Sequence, residues 1–455
     1  LSMLPGASTG DLGVTPCRCR PREKPPSVRS TRLAAARSTG SSAPPRPSSS
    51  GASSGSSDRG TARRCDIAVD EHPGPVAGDL GALPADAFDG LAGGFGDAAT
   101  IALLADAELA VNRALVGEVA GETAAGAQVL AELERRAPEV FDEVLRHPFV
   151  RSWAVSCLAG GADCDPDWAA AIAAAVAVRA GLELDVPVRA HGGRIHLPTI
   201  GFFAAPAPEV TVVAGPSSFT LRWPGGRARV PGTAGGWHAA RWVTLDGVRI
   251  LIEDADPYRE SVPHAAAGRL DPEAAGGWSE MLGRAWSHLV TDAPGQVDGL
   301  RKGLRAIVPL TPAPDGTPRG ATSRHAFGAL GLTRTDDPAV VAVLLVHEFQ
   351  HTKLGAVLDL IDLVPQHAVA QRLPVGWRSG PLPVEAVLRG AYAQLAVADV
   401  WRHRAERGAR DGDILFRRHR DWTVRAIDAL RAGDRLTAAG SRFVGRMADT
   451  VATWG

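Results

Sequence analysis

From residue 83 to about residue 183, apolar positions recur three or four apart, the period of a helix with one buried face. Residues 83–88 open a helical stretch. Residues 98–118 and 121–145 continue it through Ile101, Leu104 and Leu109, then Val129, Leu130 and Leu133. His147-Pro148-Phe149 ends one helix, residues 150–158 start another, and residues 168–182 read as an Ala-rich helix. The period then falls to two. Segments 186–190, 194–198, 210–213, 219–223, 227–230, 237–245 and 248–252 alternate between Gly, Pro and Asp turns and predict short strands. Helical spacing returns at 272–292 and 295–303, residues 306–310 are a strand candidate, and from 338 onward the chain is mostly helical. The pattern predicts an α+β fold, mostly helical, with a small antiparallel β region in the middle.

Residues 1–75 show no such periodicity. The run SSAPPRPSSSGASSGSSDRGTARR is too polar to offset its ordering entropy, so a disordered, basic, Ser/Pro/Gly/Arg-rich tail is expected, a linker or an upstream extension. Residues 76–455 then read as a single domain: helical over 80–183, β-rich over 184–256 and helical over 257–455. Charge supports the division. The formal net charge of −1 splits into +8 for residues 1–65 and −9 for the rest. An acidic body, and a tail without interleaved aromatics, give no case for nucleic acid. No apolar run reaches the length of a membrane span. The first positive charge is Arg18 and no apolar segment follows it, so no secretory signal is read. Five cysteines at loose spacing fit a reducing cytoplasm better than a disulfide framework.

One helix carries chemistry. In DDPAVVAVLLVHEFQHTKLGAVLDLIDLV (336–364), Asp337 suits the N-cap and Pro338 the first helical position. Val341, Leu344, Leu345, Leu354, Leu358 and Ile361 leave little polar circumference, so the helix is expected to be buried. Within it His347 and His351 are one turn apart and point the same way, as two ligands of one metal ion require. Glu348 lies about 100° around the helix, where it reaches a metal-bound water without displacing a ligand. Two imidazoles and a carboxylate in such a helix are costly unless a cation satisfies them.

A third ligand is needed, and residues 383–404 offer two. Gln394 is the single polar residue on a face of small and apolar residues (Val387, Gly390, Ala391, Ala398, Trp401), while Glu385, Arg389, Tyr392 and Asp399 share the opposite face. The sequence leaves Gln394 and Glu385 open, with an i,i+4 pair to Arg389 on a solvated face as the plain reading of Glu385.

Residues 80–430 resemble the HExxH-motif peptide-modification family, the 2-oxoglutarate-dependent peptide β-hydroxylases of ribosomal peptide natural product clusters. The resemblance rests on ATSRHAFGAL (321–330), LLVHEFQHTKLGAVLDL (344–360), GWR (376–378) and RGAYAQLAVADVWRHR (389–404), with weaker support from RIHLPTIG (194–201) and EDADPYR (253–259). It implies Fe(II) held by His347, His351 and a downstream ligand, with 2-oxoglutarate as cofactor. It also implies a ribosomally made precursor peptide as substrate, and company with a radical-SAM maturase. The family has a His where this chain has Gln394, so the resemblance implies an altered third ligand. It assigns the 2-oxoglutarate carboxylate to Arg378, with Arg324 as the alternative; His325 reads as an exposed loop residue rather than a support behind the metal ligands. Two competing expectations use the same motif. A zinc peptidase would take Glu348 as general base and Glu385 as third ligand. A degenerate module would keep peptide recognition on a weakened metal site.

Overall fold

The computed structural model describes residues 83–121, 124–161, 164–232 and 235–454. The basic tail and Cys17, Cys19 and Cys65 lie outside the described residues. The first helices are α1 (Ala85–Ala92), α2 (Ala98–Gly121), α3 (Ala124–Arg136), α4 (Pro138–Leu145), α5 (Pro148–Leu158) and α6 (Ala169–Ala180). Proline sets two boundaries: Pro138 divides the helix expected over 121–145, and Pro148 occupies the first turn of α5. Gly181 ends α6 in the left-handed conformation (φ 63°). Cys157 and Cys164 form a disulfide, contrary to the expectation of free thiols.

Nine strands follow: β1 (Leu184–Arg189), β2 (Arg194–Leu197), β3 (Gly201–Ala204), β4 (Glu209–Ala214), β5 (Phe219–Trp223), β6 (Gly226–Val230), β7 (Trp237–Ala239), β8 (Arg241–Leu245) and β9 (Val248–Ile252). Then come α7 (Pro272–Asp292), α8 (Pro294–Gly303), β10 (Ala306–Pro309), β11 (Gly320–Ala321), β12 (Ala329–Leu332) and α9 (Pro338–Leu360). The chain closes with β13 (Arg372–Leu373), β14 (Leu382–Pro383), α10 (Val384–Glu406), α11 (Gly412–Arg431) and α12 (Ala438–Ala452). The fold is α+β and mostly helical. No helix among the described residues is long and apolar enough to cross a membrane.

The β segment serves three sheets. Strands β1-β4-β5-β6 and β2-β3-β7 form two antiparallel sheets. Strands β8 and β9 instead join β10, β11 and β12 in a five-stranded sheet of order β11-β12-β10-β9-β8. There β9, β10 and β12 run parallel, so this sheet is mixed rather than purely antiparallel. Strands β3 and β12 escape the period-two reading because GFFA and ALGL are buried almost throughout and do not alternate.

Two large cores result. One lies between α2–α6 and the four-stranded sheet, around Leu133, Trp153, Ile172, Val212 and Leu221. The other lies between the five-stranded sheet and α1 and α7–α12, around Leu282, Leu345, Leu388 and Phe443. Helix α9 runs through this second core, and every residue from 341 to 358 is buried. Asp337 caps it by accepting from Ala339 N at 2.8 Å. Helix α10 packs on α9 and on α11, so it is buried on both faces rather than solvated on one.

Candidate metal centre

Helical spacing on α9 brings His347, Glu348 and His351 together, their ligand atoms within 4.8 Å of one another. The two imidazoles meet edge to face, centroids 4.8 Å apart. All three side chains are buried. His347 Nδ1 donates to Glu348 Oε1 at 2.9 Å, which turns Nε2 away from the carboxylate. Glu348 Oε2 is buried with no hydrogen-bond partner. Strand β11 presses on this carboxylate: a Cβ at Gly320 would stand 2.5 Å from Glu348 Oε1. Burial, then the charges of His347 and Arg389, hold His351 well below the usual histidine range, so it is a neutral imidazole. Two buried imidazoles one helical turn apart, beside an unsatisfied buried carboxylate oxygen, are the donor set of a divalent metal, and the residues fit one.

Gln394 faces α11. Its Oε1 accepts from His419 Nδ1 at 2.5 Å, both residues buried. Burial pushes His419 down to about 3, with further lowering from His347 and Arg418. His419 is therefore a neutral imidazole within electrostatic reach of His347, its Nδ1–H held by Gln394 and its Nε2 left as the lone pair. Sequence reading missed it because RRHRDW looks like a charged surface run. The signal was present: His419, Thr423, Ala426, Ile427 and Leu430 make the buried stripe of α11.

No protein-family model and no curated protein matches the sequence.

Glu385 accepts from Arg389 Nε at 3.2 Å and lies 4.0 Å from Arg324 Nη1. The i,i+4 pair thus exists, but its side chains are only 17% and 14% exposed rather than solvated. Arg389 lies against Gly355 of α9, one turn beyond His351, which sets a cation beside the histidine pair. Arg324 is drawn elsewhere. It pairs with Asp359 near the end of α9, where Arg151 also binds Asp359 (2.8 Å) and Glu108. Arg378 is exposed in the segment between β13 and β14, unlike the buried histidines of α9. Its neighbours matter more. Gly376 packs under Trp422, whose ring meets His419 edge to face at 5.1 Å, and Trp377 covers Gly390. This segment roofs the junction of α10 and α11. His325 is not an exposed loop residue: it is largely buried, and burial pushes its pKa down to about 4.

Proposed function

We propose that the chain is a metal-dependent oxygenase that hydroxylates a ribosomally made precursor peptide, with His347, His351 and His419 as the iron ligands. The observation that carries this is the buried cluster on α9, whose two imidazoles lie beside an unpaired carboxylate oxygen. The sequence resemblance supports the peptide substrate and, with it, a cytoplasmic location alongside a maturase. Bound Fe(II) and 2-oxoglutarate would supply the oxidising chemistry. The protein's own groups do the rest. Glu348 holds the His347 ring by its Nδ1–H and fixes the nitrogen that faces the metal. Gln394 does the same for His419. Arg389, half-buried beside His351, is the cation best placed for a carboxylate of the oxoacid. The roof at Gly376-Trp377 excludes water from the α10/α11 side.

Two features favour this reading over a zinc peptidase. Glu348 is engaged in orienting His347, and Glu385 is turned to Arg389 instead of joining the histidines. The test is turnover without peptide. Protein prepared anaerobically is given Fe(II), 2-oxoglutarate and O₂, and succinate is measured against a His347→Ala control. Succinate above the control is expected. Iron bound at one equivalent without succinate, or peptide cleavage supported by Zn(II) without 2-oxoglutarate, would overturn the proposal.

A further inference from the structure

A second cluster of ligand-type side chains lies outside the HExxH centre, assembled from three separate segments. His147 immediately precedes α5, His196 lies on β2, and Glu253 and Asp256 sit in the turn after β9. All four are buried. His147 Nε2 is 2.8 Å from Asp256 Oδ2 and 3.8 Å from Glu253 Oε2, and His196 Nδ1 is 3.7 Å from the same Asp256 oxygen. Ligand atoms at the corners of a tetrahedron around a zinc-sized ion stand roughly 3.3 Å apart, from metal–ligand lengths of about 2.0–2.1 Å. The separations around His147 bracket that edge, and the ligand atoms of His147, Glu253 and Asp256 all lie within 4.8 Å of one another; His196 meets this group only through Asp256, so it is the ligand whose ring must turn inward on an ion.

Each carboxylate is anchored by one oxygen and offers the other. Glu253 Oε1 accepts from the backbone N–H groups of Ala255 (3.0 Å) and Asp256 (2.8 Å), leaving Oε2 toward His147. Asp256 Oδ1 accepts from Tyr258 N (2.8 Å), leaving Oδ2 between the two imidazoles. The His196 ring stacks on Trp168 at 5°, which sets its plane. Its Nδ1 is buried, has no hydrogen-bond partner and faces Asp256. The nearest guanidinium does not neutralise the carboxylates directly, since Arg259 donates to the backbone carbonyls of Asp256 (2.8 Å) and Ala267 (3.2 Å). Two buried carboxylates are thus answered mainly by imidazoles, one of which has an idle nitrogen. A buried cluster of this kind is costly unless a cation completes it.

We propose that His147, His196, Glu253 and Asp256 form a second, structural site for a divalent transition metal, zinc by its imidazole and carboxylate ligands. Four protein ligands close the coordination sphere, so the ion has no open position for substrate. It would tie the start of α5 and strand β2, which line the first core, to the end of β9 in the five-stranded sheet.

The test separates this site from the HExxH centre. Full-length His347→Ala/His351→Ala protein, freed of loosely held metal by brief chelation and desalting, is assayed for zinc by mass spectrometry. It is then titrated with Co(II) and read by visible absorption. About one equivalent of metal and the intense bands of four-coordinate Co(II) are expected. Adding His196→Phe, which keeps an aromatic ring against Trp168, should weaken zinc binding at least 100-fold while the helical circular dichroism persists. If that variant does not fold, the titration of the double variant decides alone. A folded double variant that takes up neither zinc nor cobalt overturns the proposal and leaves an ion-pair cluster. Metal uptake that His196→Phe leaves unchanged overturns it equally.

Discussion

Gln394 is the residue on which the metal centre is most sharply testable. Its Oε1 accepts from His419 Nδ1 at 2.5 Å, and neither side chain reaches solvent to any extent. In Gln394→Ala the buried imidazole N–H loses its acceptor. Leaving such a donor unsatisfied costs about 1–3 kcal/mol, which should appear as a lower midpoint in urea at unchanged slope. The larger consequence is chemical. Without the acceptor, the His419 tautomer and ring angle are no longer fixed, and losing an outer partner of a ligating His typically costs about 10–100-fold in metal affinity. That corresponds to about 1.4–2.7 kcal/mol. On the proposed ligand set, removing His419 outright costs more, so His419→Ala should bind Fe(II) or Co(II) more weakly than Gln394→Ala. Gln394→Glu, which keeps an acceptor for Nδ1–H, should retain affinity within a few-fold. Affinities come from anaerobic titration followed by absorbance, and nitrogen hyperfine structure on a Cu(II)-substituted sample counts the imidazoles at three. The reverse order, with Gln394→Ala abolishing binding and His419→Ala nearly silent, would refute this account. It would make the amide oxygen the ligand.

Three further outcomes follow from the same geometry. Gly320→Ala should displace the Glu348 carboxylate, because the new methyl would stand 2.5 Å from Oε1; a stability loss of about 1–3 kcal/mol and at least tenfold weaker metal binding are expected, and unchanged binding would refute the contact. Lys353 is buried, donating to the carbonyls of Gly94 and Phe95 and to Gln296, and burial pushes its pKa down to about 7. The unfolded chain then binds more protons between about pH 7 and pH 10.5, so wild-type stability should rise across that window relative to Lys353→Met, by roughly 2–5 kcal/mol; parallel stability–pH curves would contradict it. Hydrogen bonds from Arg442 and Arg446 of α12 hold the Asp89 carboxyl of α1 down to about 2. Asp89→Asn should therefore cost at most about 1 kcal/mol near neutral pH, a difference present above about pH 4 and lost as pH falls through about 2, and smaller in high salt.

What was legible in the sequence divides along a physical line. The start and ligand spacing of helix α9 could be read because that information is local: Asp337 and Pro338 start it, and the 3.6-residue period alone puts His347 and His351 on one side; its end could not, since the apolar pattern runs on through Ile361 while the helix stops at Leu360. Period two found the strands with alternating exposure, such as β1 and β4. It failed at β3 and β12, which bury nearly every residue, and it could not distinguish an antiparallel neighbour from the parallel pairing of β9, β10 and β12.

The site itself shows the same division. Treating α10 as a helix with one buried face made Gln394 and Glu385 rivals for a single position. The structure buries α10 between α9 and α11, so each residue has its own partner: Glu385 binds Arg389 beside α9, and Gln394 binds His419 on α11. No periodicity within α10 could supply that answer, because the partners come from other helices. Asp256 meets His147 across 109 positions for the same reason, through segments brought together only by packing. Local spacing can therefore bring two histidines together on one helix, but what Gln394 and Glu385 face is a property of tertiary structure. A single histidine on the apolar stripe of a neighbouring amphipathic helix, as His419 is on α11, is the sequence feature through which a buried polar partner such as Gln394's can be sought.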